Sequence, residues 1–296
     1  MRRSLEDYNN IFKKSLTTKE AAWVNWKSKH DSAGTITETV ADLLVADFSS
    51  LVEVYKKFLA LGVPETQKNK DGNDERSDAL KELDKIFNYT NRYDDKIANF
   101  FINWADKLEI RSCYYCEMAY INIYGTGSKR RQFDLDHFLP KAKCPCVGLS
   151  LYNFVPSCQV CNSRIKLDDM PDVTCDEYVQ ISPSSAVASF DENITVRLRL
   201  SSEGNYLLDK RYMYIRASKP YQQYVNFFRL NDRYGFHKPE AERLKKLKDK
   251  YPKSNIKKIA KLLRYREKEV EEDIFNLNYL REKGRCFEKF TRDLLK

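Results

Sequence analysis

The sequence predicts an α+β fold, with helical regions at both ends of the chain and a short strand-containing core between them. Three observations predict it. Apolar residues recur at spacings of three and four through the first 110 residues and again beyond Phe227, the period of one helix face. Between Glu109 and Lys166 that period gives way to short β-like runs punctuated by cysteine pairs. Further on, Ile194, Val196, Leu198 and Leu200 alternate with polar residues, the period of a strand. The expected organisation is a helical region at 1–108, a core at 109–170, a small β-containing insertion at 171–226 and a basic helical region at 227–296.

The first long stripe runs Ile36, Val40, Leu43, Leu44, Phe48, Leu51, Val52, Tyr55, Phe58 and Leu59, and Gly62-Val63-Pro64 should end it. A polar loop from Glu65 to Arg76 follows, with Asp71-Gly72-Asn73 as its turn. Two more helical patterns come next, at Leu80, Leu83, Ile86, Phe87 and at Ile97, Phe100, Phe101, Trp104, Leu108. Trp23, Trp26 and Trp104 fit core anchors better than a ligand cage, because large aromatics usually bury. In the core, Met118 to Tyr124 and Gln132 to Leu139 read as strands, Pro140 to Tyr152 as a loop, Asn153 to Pro156 as extended and Gln159 to Lys166 as the start of a helix. A few strands are expected between Val179 and Ile215, and the C-terminal helices carry the stripe Ile256, Ile259, Leu262, Leu263.

No run of about 18 apolar residues occurs, and Met1-Arg-Arg-Ser leads into a charged amphipathic stretch, so a cytoplasmic protein without membrane contact is expected. The net charge of +9 is concentrated: Arg243 to Lys268 holds twelve Lys and Arg against Asp249 and Glu267. Such a segment fits a phosphate-backbone footprint, and equally the solvated face of a helix pair.

Cys113-Tyr-Tyr-Cys116 and Cys158-Gln-Val-Cys161 can supply four thiolates in a tetrahedron, each pair clamping one edge from a tight turn. A single structural Zn²⁺ per chain is the natural occupant, and its binding energy becomes folding energy. A redox dithiol is the weaker reading of two pairs flanking one compact region. Cys144-Pro-Cys146 is the confounder, expected inert because Cys-x-Cys makes a poorer chelating turn.

Between the pairs stands Asp136-His137, with one of the three histidines of the chain. Hydrolysing a phosphodiester needs a base for water and a cation for the charge on phosphate and leaving oxygen. An imidazole with a pKa of about 6.5 suits the first task. Asp136 suits the second as a hard oxygen ligand for Mg²⁺. Adjacent strand residues face opposite ways, so both serve one site only where the strand ends, as Pro140 suggests. The Asn153 side chain could accept the Nδ1 proton of His137 and leave Nε2 free, and Asn162 after the last knuckle cysteine is the second metal ligand. A lone Asn or His has an ordinary structural explanation more often than a catalytic one; the joint spacing is what outweighs it here.

At Phe133-Asp-Leu-Asp-His-Phe-Leu-Pro140, Leu151-Tyr-Asn-Phe-Val-Pro-Ser-Cys158 and Cys158-Gln-Val-Cys161-Asn-Ser-Arg-Ile-Lys166 the chain resembles the HNH endonucleases. The resemblance implies a ββα-metal core, His137 as general base, Asp136 and Asn162 as ligands of a catalytic Mg²⁺ or Mn²⁺, and Asn153 as the residue orienting the base. Asn162 stands where the family's name-giving pattern has its last His, a substitution familiar within the family. Phe228-Arg-Leu-Asn-Asp-Arg-Tyr234, His237-Lys238 and Glu272-Asp-Ile-Phe-Asn276 are similar to segments of McrA-like and Septu-type defence members, which implies an anti-phage role and an ATPase partner. Lys141, Lys143, Arg164 and Lys166 bracket the proposed ligands and are the expected phosphate contacts, with Lys129, Arg130 and Arg131 beside them. Asp134 is a reserve metal ligand. DNA is the expected substrate; the alternatives are structured RNA or tRNA, and a zinc-knuckle nucleic-acid-binding protein without catalysis.

Overall fold

The computed structural model describes residues 2–89, 92–200, 211–275, 277 and 286–296; residues 201–210 of the expected β tract and Asn276 of the tail segment lie outside the described residues. The fold is α+β, and the chain divides into two units, Met1–Ile110 with Ile121–Ala188 and Arg111–Tyr120 with Ser189–Lys296.

In the first unit, side-chain caps fix where several helices begin. After α1 (Arg2–Asn10) and α2 (Leu16–His30), α3 (Val40–Val45) starts on a capping box, in which the Thr39 hydroxyl accepts the Asp42 N–H and the Asp42 carboxylate accepts the Thr39 N–H. Asp47 accepts the Ser50 N–H at 2.8 Å to start α4 (Phe48–Ala60), which stops before Gly62 at φ +64°. The expected stripe is buried from Val40 to Phe58, while Leu59 lies outside it. The polar loop that follows is a hairpin, β1 (Thr66–Lys68) against β2 (Asp74–Arg76), turning at Gly72 with φ +80°. Ser77 caps α5 (Asp78–Ile86), and Asp94 and Asp95 in the first turn of α6 (Asp94–Trp104) oppose its dipole. Trp23 and Trp26 stack 5.3 Å apart with no exposed surface, and their indole N–H groups donate to the carbonyls of Glu38 and Ala79. They are core anchors.

The strands are shorter than the sequence periods suggest. β3 (Ile123–Tyr124) pairs with β4 (Arg130–Arg131), and β5 (Asp134–His137) runs antiparallel to β6 (Phe154–Ser157), with Asp136 opposite Val155 and His137 opposite Phe154. A π-helical turn, Val160–Lys166, follows β6. This strand–strand–helix unit is held on the N-terminal helices: Phe138 meets Phe48 edge-on at 5.3 Å, and the Tyr8 hydroxyl donates to the Leu149 carbonyl. α7 (Cys175–Ile181) stands where the expected β-containing tract begins, because Thr174 and Glu177 form a second capping box.

In the second unit, α8 (Phe190–Asn193) leads into a seven-residue antiparallel hairpin, β7 (Ile194–Leu200) and β8 (Arg211–Ala217), with Ile194 opposite Ala217. Then come α9 (Tyr221–Phe227), α10 (Leu230–Gly235), α11 (Lys238–Lys250), α12 (Lys253–Leu263), α13 (Glu267–Ile274) and α14 (Glu288–Leu295). Ile256 and Ala260 of α12 pack with Val270 and Phe275. Among the described residues no helix is long and apolar enough to cross a membrane.

Candidate functional site

The loop between β5 and β6 is closed by one side chain. Asn153 is fully buried; its Oδ1 accepts the Leu139 N–H at 2.8 Å, and its Nδ2 donates to the carbonyls of Leu139 at 3.0 Å and Val147 at 3.1 Å. The backbone adds Phe138 N–H to Asn153 carbonyl at 2.9 Å. All three side-chain bonds go to backbone, so the expected bond from Asn153 to the His137 ring is replaced by a clamp on the loop. At about 1 kcal/mol per bond, and more for a buried group left unsatisfied, this clamp is a substantial local contribution.

What that loop holds is His137. It is the last residue of β5 and is 8% exposed. Its Nε2 lies 2.9 Å from the Gly148 carbonyl. A carbonyl only accepts, so Nε2 carries the proton and Nδ1 is the basic nitrogen, the reverse of the tautomer expected from sequence. The ring is flanked by Tyr89, edge-on at 4.8 Å, and by Phe154 at 4.6 Å. Burial, with the Lys141 cation adjacent, pushes the imidazole pKa down to about 3, so the ring is neutral at physiological pH.

Asp134 and Asp136 share the other face of β5. Asp136 is 5% exposed and meets the ammonium of Lys166, itself 1% exposed, at 3.3 Å. Lys166 also donates to the His137 carbonyl at 2.8 Å. Lys166 is therefore an internal cation beneath the strand, and the expectation that it contacts phosphate is corrected: no surface is left for solvent or a polyanion to reach. The Asn162 amide N–H donates to Asp134 at 3.2 Å, so the reserve carboxylate is the one in contact with Asn162. Lys143 and Arg164 are exposed, as phosphate contacts must be. Lys141 is half-buried over the Tyr89 ring, 4.5 Å from its centroid, and burial lowers its pKa. An open depression lined by Arg131, Gln132, Phe133, Asp134 and Gln159 lies beside this face.

The two Cys-x-x-Cys pairs come together. The sulfurs of Cys113, Cys116, Cys158 and Cys161 all lie within 4.8 Å of one another, three residues buried and Cys158 partly so, an arrangement that could hold a metal ion such as zinc. The first knuckle is closed by the Cys113 N–H on the Ala119 carbonyl, with Glu117 at φ +55°, and the hydroxyls of Tyr224 and Tyr234 donate to the carbonyls of Tyr115 and Cys116. Tyr115 stacks on Phe228 at 4.5 Å. Cys144 and Cys146 stand apart from this cluster as a buried pair with sulfurs 3.2 Å apart, and burial pushes the Cys144 thiol up.

The chain matches no known protein family, curated protein or solved structure. The site is therefore described by its own geometry. Two of its members carry no signal in the sequence. Tyr89 lies 48 positions before His137, in the connection between α5 and α6, with no motif around it. Gly148 contributes through its carbonyl, which any residue has, although the spot is tight: a Cβ there would sit 3.0 Å from the Pro145 carbonyl oxygen.

Proposed function

We propose that the chain is a metal-dependent endonuclease of the HNH type that hydrolyses phosphodiester bonds in DNA. One observation carries the reading: at the end of β5 the His137 ring donates its Nε2–H to the Gly148 carbonyl, which leaves Nδ1 as its proton acceptor, on the strand whose other face carries Asp134 and Asp136.

The donor set fits a hard cation. Asp134, Asp136 and Asn162 offer only oxygens, and Asn162 uses its amide N–H on Asp134 and Ser163, which leaves its amide oxygen to face a cation. Asp136 and Asn162, with Asp134 as the reserve ligand, would hold a Mg²⁺ or Mn²⁺, which would supply positive charge for the phosphate and the departing 3′-oxygen. His137 Nδ1 takes a proton from the attacking water, the resulting hydroxide bonds to phosphorus, and the bond to the 3′-oxygen breaks, leaving a 5′-phosphate. The Gly148 carbonyl stabilises the imidazolium by accepting its Nε2–H. Lys166 pairs with Asp136 in a buried setting, and Asn153 holds the loop that carries Gly148. The four cysteines would hold Zn²⁺, which would fix the start of the turn that bears Asn162. An anti-phage role beside an ATPase follows from the family resemblance alone.

Supercoiled plasmid incubated with Mg²⁺ or Mn²⁺ tests the reading, with wild type and His137→Ala compared at one zinc per chain. Nicking by wild type alone supports it. Equal cleavage by both removes His137 as the base. Cleavage of tRNA but not plasmid, dependent on a 2′-hydroxyl, would move the substrate to RNA. Asp134→Asn and Asp136→Asn, each titrated with Mg²⁺, tell which carboxylate binds the cation.

A further inference from the structure

From Lys250 to Arg266 the chain contains seven basic residues and no acidic one. The stretch forms α12 and the turns at its two ends. α12 buries Ile256 and Ala260 and turns Lys257, Lys258 and Lys261 outward. Arg264 at φ +59° ends the helix and begins an exposed turn. Around this segment Arg243 pairs with Glu240, Lys245 with Asp249, Arg266 with Glu269 and Lys268 with Glu272, while Lys246, Lys248, Lys250 and Lys253 have no ion pair among the described residues. Lys257, Lys258, Lys261 and Arg264 have no ion pair among the described residues. α11 interleaves acids with its cations at spacings of three and four, whereas α12 carries no acid on any face.

The same tip exposes apolar surface. Leu262, which follows Lys261, is 82% exposed, and Tyr265, between Arg264 and Arg266, is 58% exposed. Leaving Leu262 in water forgoes the stabilisation that burying it would bring, while Leu244 and Ala241 on α11 are fully covered. Unmatched cations track a phosphate backbone, and an aromatic ring among them offers a face on which a base can stack. We propose that the α12 tip, Lys257 to Tyr265, is a docking surface for single-stranded nucleic acid, with the cations on phosphates and Tyr265 stacked on a base. This deepens the nuclease reading by naming a substrate contact outside the catalytic strands, and it rests on that reading for its choice of a nucleic acid over another polyanion.

The test reads binding, not cleavage, so that the two ideas fail separately. Full-length wild type in Mg²⁺-free buffer is titrated against a fluorescent 30-nucleotide single strand, by anisotropy, at several salt concentrations. The fourfold variant Lys257→Gln, Lys258→Gln, Lys261→Gln, Arg264→Gln keeps helix-compatible side chains at exposed positions, and circular dichroism checks that it folds. Affinity should fall at least tenfold, with the salt slope shrinking by about 0.7 for each phosphate no longer neutralised. Tyr265→Ala should weaken single-strand binding several-fold and leave duplex binding unchanged. Unchanged affinity and slope in the fourfold variant would overturn the proposal, as would wild type binding vesicles containing phosphatidylserine while ignoring the oligonucleotide. A wild type that binds through this tip yet never cleaves would count against the nuclease and leave the docking surface standing.

Discussion

Replacing Lys166 with Met separates a buried cation from a phosphate-binding one. Lys166 and Asp136 are 1% and 5% exposed and 3.3 Å apart, and the ammonium also donates to the His137 carbonyl. Methionine keeps most of the stem's volume, so packing loss is small and the main consequence is a buried carboxylate without its cation. Removing one partner of such a pair costs about 3–5 kcal/mol. For a unit of this size each kcal/mol moves the melting temperature by about 2–4 °C, so a fall of about 10 °C is expected in the zinc-loaded protein. Adding Asp136→Asn removes the stranded charge and should restore at least about 2 kcal/mol, the coupling that a double-mutant cycle reads. Urea unfolding of the four proteins gives the numbers. A Lys166→Met protein within about 1 kcal/mol of wild type, whose nucleic-acid salt slope drops by about 1, would refute the buried pair and return Lys166 to the surface.

Asn153→Ala should cost about 3 kcal/mol or more in urea unfolding and abolish cleavage, because it frees the loop that carries Gly148 although Asn153 bonds only to backbone. Gly148→Ala places a Cβ 3.0 Å from the Pro145 carbonyl oxygen, so cleavage should fall through a displaced His137 partner while the melting temperature moves little; unchanged cleavage would separate Gly148 from the site. Cys158→Ser should lose zinc and solubility together, and a folded variant that retains zinc by metal analysis would count against the four-sulfur centre. Lys19 is buried, and desolvation with Arg92 nearby lowers its pKa from 10.5 to about 8. Between these values the unfolded chain binds the extra proton, so Lys19 contributes stability that rises with pH across that window. Its burial opposes folding below about pH 8. Lys19→Met should flatten the rise in a melting series from pH 7.5 to 10, and an equal slope in both proteins would exclude it.

What the sequence discloses and what it hides follow one physical division. Each Cys-x-x-Cys knuckle and the turn at Gly72 depend on residues a few positions apart, and spacing alone exposes them; the caps at Asp47 and Ser77 are equally local. Thr174-x-x-Glu177 is as local a signal, and it sets the helix α7 at the head of a tract whose later alternation suggests strands. Tertiary partnership is not local. That Asn153 bonds to backbone, that His137 turns its Nε2 to Gly148, and that Tyr89 covers the ring depend on where a loop of sixteen residues folds back. No period or motif carries that information.

The same division explains why Lys166 lies inside although its sequence surroundings point outward. In sequence it is one more cation in a basic neighbourhood, and averaging would send it to the surface. In the fold it lies four residues after Asn162 on one turn, so the turn that brings an amide to Asp134 also brings an ammonium to Asp136. Two carboxylates on one strand face repel unless a positive charge offsets them. Lys166 supplies that charge for Asp136, and among the described residues Asp134 has the neutral donors Asn162 and Ser163 and no ion pair. A divalent cation recruited to this face therefore meets one carboxylate already compensated and one that is not. The local electrostatics predict that Asp134→Asn weakens Mg²⁺ binding at least as much as Asp136→Asn does, and a cation affinity that falls for Asp136→Asn alone would show that Lys166 yields its partner when the metal binds.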